Sequence, residues 1–372
     1  MDDHLRKTYR NKKVLVTGHT GFKGSWLSLW LTELGARVTG YSLKPPTEPN
    51  LFEAIGLADR IIHTIGDVRD EEHLTHTFNK YQPEFVFHLA AQPILRLSYN
   101  EPKLTYETNV MGTVNILEAV RKTKTVRVCV IVTSDKCYEN RECAHGYNET
   151  EPLGGYDPYS SSKGCAELIT AAYRHSFFNP EKYGQAHNVA LSSVRAGNVI
   201  GGGDWGKDRL VPDTIRALYH NKAVVIRMPL ATRPWQYVLE PLMGYILLAT
   251  RMYEDGTGYS EPWNFGPDEA GVITVEELLK LIIKHWGNGT YKITPSNHPH
   301  ETSILKLDSS KAQKMLGWRQ IYNIHETAER TINWYKSFYA GTKKDELYEL
   351  TISEILEYTN HTAYHTRTKK VC

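Results

Sequence analysis

A doubly wound parallel α/β sheet followed by a smaller mixed α/β lobe is the fold this sequence predicts. Short β-branched runs alternate with helical patterns between residues 12 and 130, a glycine-rich turn joins the first strand to the first helix, and no Gly/Ser- or Pro-rich linker divides the chain. Residues 14–17 (Val-Leu-Val-Thr) read as a strand buried on both faces. Residues 25–34 read as the helix after it, with Trp26, Leu27, Leu29, Trp30 and Leu31 apolar. Residues 38–43, 85–89 and 128–133 supply further strands, the last after a helix around 110–120. In such a sheet ligands bind at the C-terminal ends of the strands. Later the character changes: Gly201-Gly202-Gly203-Asp204 and Arg233-Pro234 punctuate short strands (224–227) and helices (275–285). Residues 345–359 read as an amphipathic helix before a frayed end.

Composition narrows the function. The 372 residues carry 44 Lys+Arg against 42 Asp+Glu, a net +2, which argues against nucleic acid or an anionic membrane as the main partner. No stretch reaches the roughly 18 apolar residues of a bilayer span, and the charged start Met1-Asp2-Asp3-His4 lacks a secretory core, so a cytoplasmic location is expected. The five cysteines, an odd number without Cys-x-x-Cys spacing, read as reduced thiols and not as a disulfide frame or zinc site.

Three groups of residues carry chemistry. Gly18-His19-Thr20-Gly21-Phe22-Lys23-Gly24 follows the first strand and opens the first helix; glycines at 18, 21 and 24 let a pyrophosphate approach backbone N–H groups at the positive helix end. The second strand ends in Ser42-Leu43-Lys44 without the carboxylate that commonly holds the ribose 2′-OH. Ser42 suits a neutral ribose, favouring NAD, while Lys44 could meet the 2′-phosphate of NADP. Asp67-Val68 is positioned to bond the adenine amino group. Tyr159 and Lys163 lie one helical turn apart on one face, with Ser134 ending the intervening strand. A nearby ammonium and a cationic nicotinamide should draw the phenol, normally near ~10, toward neutrality, so that it accepts a sugar hydroxyl proton.

These residues, with Asp67-Val68-Arg69-Asp70, His88-Leu89-Ala90-Ala91 and Asn109-Val110-Met111-Gly112-Thr113, resemble the extended short-chain dehydrogenase/reductase family over about residues 12–320. Gly18 to Trp26, Ala91-Gln92-Pro93, Ser134-Asp135-Lys136-Cys137-Tyr138, Gly154 to Tyr159, Arg195 to Trp205 and Arg233-Pro234-Trp235-Gln236 are similar to its nucleotide-sugar 4,6-dehydratases. The resemblance implies a Rossmann domain mainly in 1–190, a nucleotide-sugar lobe mainly in 191–345 with interwoven segments, and a C-terminal helix and tail in 346–372. It implies bound NAD near Gly18, Thr20, Gly21, Phe22, Lys23, Gly24, Ser42, Asp67, Val68, Leu89, Ala90, Ala91, Thr108, Tyr159 and Lys163.

It further implies an intramolecular redox dehydration, with CDP-glucose as substrate, serving deoxysugar and O-antigen synthesis. C4 is oxidised, water is lost across C5–C6, and hydride returns to C6. Ser134, Asp135, Lys136, Tyr159 and Lys163 form the catalytic set, Asp135 being proton donor to the C6 oxygen. In dTDP-glucose relatives a Glu base follows that Asp; here Lys136 stands there, either as a base when neutral or as a stabiliser of the enolate. Gln92, Asn198, Arg209, Arg233, His298 and Glu301 are the expected substrate contacts, the arginines for the diphosphate. His298-Pro299-His300-Glu301 lacks a third ligand at recognisable spacing, so no metal is expected. Asn109 is read as a prop of the catalytic strand or of a water, with an ordinary helix cap as the alternative. A homo-oligomer, dimer or tetramer, is implied through the helices near 110–120 and 159–172. The competing readings are a nucleotide-sugar epimerase, a UDP-N-acetylhexosamine dehydratase and a non-catalytic NAD(H) sensor.

Overall fold

The computed structural model describes residues 3–143, 145–294 and 305–368. In chain order the strands are β1 (Lys13–Thr17), β2 (Arg37–Ser42), β3 (Ile62–Ile65), β4 (Phe85–His88), β5 (Val128–Val132), β6 (Ala190–Ala196), β7 (Asn198–Ile200), β8 (Val224–Ile226), β9 (Thr232–Tyr237), β10 (Pro262–Phe265), β11 (Val272–Thr274) and β12 (Tyr291–Ile293). Seven of them form one parallel sheet in the order β10-β6-β5-β4-β1-β2-β3. The order reverses between β1 and β4, and there the C-terminal ends of two neighbouring strands open a crevice.

Alternation along the central strands explains why their sequences are continuously apolar. Val14, Val16, Phe85, Phe87, Val128 and Val130 join one core with Trp26 and Trp30. Leu15, Val86, Cys129 and Ile131 point the other way, into a core with Leu74, Phe78, Ile116 and Val120. The expected helices are present, with shifted ends: Phe22–Glu33, Gly112–Lys122, Pro158–Ser176, Val275–Trp286 and, much longer than its apolar pattern, Lys344–Thr368. A π-helical stretch, Glu107–Met111, precedes Gly112–Lys122 and was not anticipated.

The late lobe is woven into the sheet. β10 returns from beyond residue 260 to pair with β6, while β7 and β9 pair in parallel and β11 closes their sheet antiparallel. The Lys344–Thr368 helix ties both parts: Tyr348 donates to Glu33 on the first sheet helix at 3.1 Å, and Tyr358 donates to Glu240 at 2.6 Å. Among the described residues no helix is long and apolar enough to cross a membrane, and no group of three or more His, Cys, Asp or Glu could hold a metal ion.

Candidate active site

The glycine turn sits at the sheet crevice. Gly18 adopts φ 74°, and a Cβ there would lie 2.8 Å from the Ala90 nitrogen; at Gly24 one would lie 2.0 Å from the Gly18 carbonyl oxygen. Only glycine allows turn, helix and the Leu89-Ala90 strand end to close up at the N-terminus of the first sheet helix. The residues thus fit a dinucleotide pyrophosphate. Buried Thr20 and Ser42 pair through their hydroxyls at 2.8 Å, and Thr20 also donates to the Leu43 carbonyl at 3.0 Å, so Ser42 is oriented by the turn itself. Asp67 is gripped by Arg69, whose Nη2 lies 2.6 Å from Oδ2, so its carboxylate is held below its usual range by that partner. The adenine contact expected of Asp67 therefore competes with a guanidinium two residues away. Val68 is buried and its carbonyl accepts from Asn115 at 2.9 Å, while Thr108 is half-buried in the π-helical stretch.

The Pro158–Ser176 helix starts where the sequence stops it from starting earlier. Asp157 caps it, accepting from the Ser160 N–H at 2.8 Å and the Ser160 hydroxyl at 2.6 Å, and Pro158 takes the first helical position. Tyr159 and Lys163 follow on one face. Asn109 holds this helix to the loop after β4: its amide donates to the Ser162 hydroxyl at 2.9 Å and to the Gln92 carbonyl at 3.1 Å, while its oxygen accepts from Gln92 N–H at 2.7 Å. The prop expected of Asn109 is present, between different partners from the strand first assigned.

The turn after β5 brings the acid. Ser134 caps the short Asp135–Cys137 turn, accepting from Lys136 N–H at 3.2 Å and donating to Asp135 Oδ1 at 2.8 Å. Asp135 is buried, its Oδ2 has no hydrogen-bond partner, and burial raises its carboxyl above the usual range despite the nearby Lys136 and Arg233 charges. Burial thus disfavours its charged form. Lys136 lines a small cavity with Tyr99, Tyr138, Tyr156 and Asp157.

The titratable groups crowd together. Burial pushes Tyr159 up to about 12, the Ser134 hydroxyl pulling the other way, which reverses the expected drift toward neutrality. Desolvation outweighs the surrounding positive charge in the protein alone. Lys163 is pushed down to about 8 by burial, with Cys137 and Glu167 opposing. Lys23 is pushed down to about 7 by burial and then by the Lys163 and Arg209 charges; its Nζ donates to the Tyr245 hydroxyl at 3.2 Å. Lys23, expected only as a cofactor contact, thus also lies within reach of the Asp135 field, and so does the buried Tyr245 phenol, which the sequence did not single out. His88 is buried and pushed down to about 3; it ties β1 to β4 through Thr17 at 2.7 Å.

The substrate contacts divide. Arg209 and Arg233 both reach this cluster, the first acting on Tyr159 and the second on Asp135. Arg209 is aimed by Asp204 at 2.9 Å, and Asp204 also accepts from the Gly206 N–H at 2.9 Å. Asn198 opens β7 beside Trp235 of β9. Gln92, expected as a substrate contact, donates to Thr105 at 2.8 Å and accepts from Ile94 N–H at 2.6 Å, which helps hold the loop after β4. His298 and Glu301 lie outside the described residues.

A family profile described as GDP-mannose 4,6 dehydratase matches residues 15–331. The chain belongs to that family. It is 52% identical over 355 residues to a CDP-glucose 4,6-dehydratase of Salmonella typhimurium, covering 95% of this chain and 98% of the relative. A GDP-mannose 4,6-dehydratase of Vibrio cholerae is 27% identical, covering 85% of this chain and 91% of that protein. The fold matches the solved structure of DesIV, a dTDP-glucose 4,6-dehydratase from Streptomyces venezuelae with NAD and TYD bound. That match has a TM-score of 0.74 at 22% identity, over 87% of this chain and 97% of that one.

Proposed function

We propose that this chain is a hydro-lyase that converts CDP-D-glucose to CDP-4-dehydro-6-deoxy-D-glucose and water, with NAD as resident cofactor. The substrate rests on the 52% identity to the Salmonella typhimurium relative. The reaction type rests on Asp135, a buried carboxyl with one unpartnered oxygen, raised above its usual range beside Tyr159. A C4 epimerase has no use for such an acid, because nothing leaves C6.

NAD, when bound, supplies an acceptor for the C4 hydride, a donor to C6, and a positive charge that favours the Tyr159 phenolate. Tyr159 takes the proton from the sugar O4, with the Ser134 hydroxyl stabilising the developing charge. The 4-ketone acidifies the C5 proton, and we assign that proton to Lys136. Asp135 then protonates the departing C6 oxygen, and its burial disfavours the carboxylate until that moment. Arg209 and Arg233 hold the diphosphate as charge-assisted donors.

Two copies are inferred to pair through the Gly112–Lys122 and Pro158–Ser176 helices. Met111, at 51% exposure, and Leu168, at 59%, offer apolar surface there. The cytosol is the inferred working place, in keeping with four free cysteines among the described residues.

The test is purified protein with NAD and a panel of CDP-, dTDP-, UDP- and GDP-sugars, followed by NMR. A 6-methyl, 4-keto product formed fastest from CDP-glucose supports the proposal. A C4 epimer that keeps its C6 hydroxyl points to an epimerase, and NAD binding without turnover of any sugar points to a sensor.

A further inference from the structure

Glu167 lies one turn beyond Lys163 and is fully enclosed. Oε1 accepts from the Thr133 hydroxyl at 2.5 Å; Oε2 accepts from the Ser193 hydroxyl at 2.7 Å and from Arg195 Nη2 at 2.8 Å. The Glu167 and Arg195 side chains are each 2% exposed. Arg195 donates onward to the Tyr138 hydroxyl at 2.6 Å, and Tyr138 donates to Asn264 Oδ1 at 2.8 Å. Asn264 in turn donates to the carbonyls of Tyr147 and Asp308, at 2.8 and 3.2 Å.

Burying an ion pair this deeply costs desolvation that apolar side chains of similar volume avoid, so its contribution to stability does not explain it. Its anchor points do. Thr133 immediately precedes Ser134 and Asp135, Tyr138 closes the turn that holds them, and Glu167 shares a helix with Tyr159 and Lys163. We propose that the Glu167–Arg195–Tyr138 network is a positioning device that sets the Ser134–Asp135 turn against the Tyr159–Lys163 helix and balances the Lys163 charge. None of the three touches the reacting atoms. Through Asn264 the network also reaches the 305–309 segment of the late lobe, so both lobes register on one buried chain of hydrogen bonds. The groups bearing on Lys163 fit this role: Glu167 and Cys137 favour its charge, while burial opposes it and Lys23 and His88 lie within its field.

The inference deepens the proposed function and rests on it, so the test includes a readout that needs no substrate. In the double variant Glu167→Gln/Arg195→Met, lysine 13C NMR of the holoenzyme should show Lys163 titrating at lower pH than in wild type, because its anionic neighbour is gone. With CDP-glucose, kcat should fall about a hundredfold with KM nearly unchanged, the cost of misplaced catalytic groups, and its high-pH limb should move down with the Lys163 titration. Tyr138→Phe, which keeps the ring and cuts the hydroxyl's links to Arg195 and Asn264, should lose about tenfold in kcat, and Glu167→Asp should recover part of the loss seen in the double variant. Absence of wild-type product indicts the proposed reaction. An unmoved Lys163 titration, or Tyr138→Phe turning over like wild type, overturns the network's role.

Discussion

Two carboxyl groups are buried on either side of the Tyr159–Lys163 pair, and their surroundings send them in opposite directions. Glu167 accepts three side-chain hydrogen bonds, one from Arg195, and is held below its usual range as a fixed anion: charge attraction and hydrogen bonds overcome a burial that acts to raise it. Asp135 has one short hydrogen bond from Ser134, leaves Oδ2 unpartnered, and is raised by burial. Desolvation acts on both, and what separates them is the Arg195 charge, reinforced by two further donors, that faces Glu167 at hydrogen-bond distance.

Removing the acid should have the largest effect. Asp135→Asn keeps the shape but cannot donate as an acid, so turnover should drop by about a thousandfold. C4 oxidation should persist, seen as absorbance at 340 nm that accumulates instead of cycling. Normal turnover in this variant would erase the contrast with Glu167. The diphosphate grip comes next. Asp204→Ala frees Arg209 from the carboxylate that aims it, and the KM for CDP-glucose should rise about tenfold, with kcat changing less. A buried cation of the same cluster is also testable. Lys23 follows the pyrophosphate turn, so Lys23→Met should weaken binding of the net-anionic NAD+ several-fold at pH 6, where the lysine is charged, and less at pH 8. Calorimetric titration at both values checks the sign.

A third buried carboxyl, Glu240, serves as a control that reads out in stability instead of turnover. It accepts from the Ile321 and Tyr322 N–H groups and the Tyr358 hydroxyl, yet burial raises it to about 7. A carboxyl raised in the folded state binds a proton that the unfolded chain has released. Its stabilising contribution is therefore full below the unfolded value near 4.5 and is lost as pH climbs to about 7, a change of about 3 kcal/mol. Melting curves at pH 5 and 7 should show this slope in wild type and a flatter one in Glu240→Gln.

How far the sequence could be read follows from contact range. The central strands and the Tyr159–Lys163 face were legible because apolar runs and four-residue spacing are local signals. So was the Gly18–Gly24 turn, whose Gly24–Gly18 contact lies six residues apart, although the approach of Gly18 to Ala90 is long-range. The Lys344–Thr368 helix outran its apolar pattern because its docking contacts, Glu33 and Glu240, lie more than 100 residues upstream. The same reason hid the approach of Lys23 to Tyr245, while the Glu167–Arg195 pair and the engagement of Gln92 with Thr105 and Ile94 join residues nearer in the chain at spacings that follow no helical or strand period. The Asp67–Arg69 clamp was local, and the acidic-basic spacing at 67 and 69 could have revealed it. The Tyr159 phenol was misjudged because burial has no sequence signature as plain as a neighbouring lysine.

The most direct measurement uses CDP-glucose carrying deuterium at C4, turned over by the purified protein with NAD in ordinary water. The account predicts a 4-keto product whose C6 methyl group holds that deuterium, delivered within one molecule, with a solvent proton at C5. Deuterium retained at C4 of a sugar that still bears its C6 hydroxyl would contradict it.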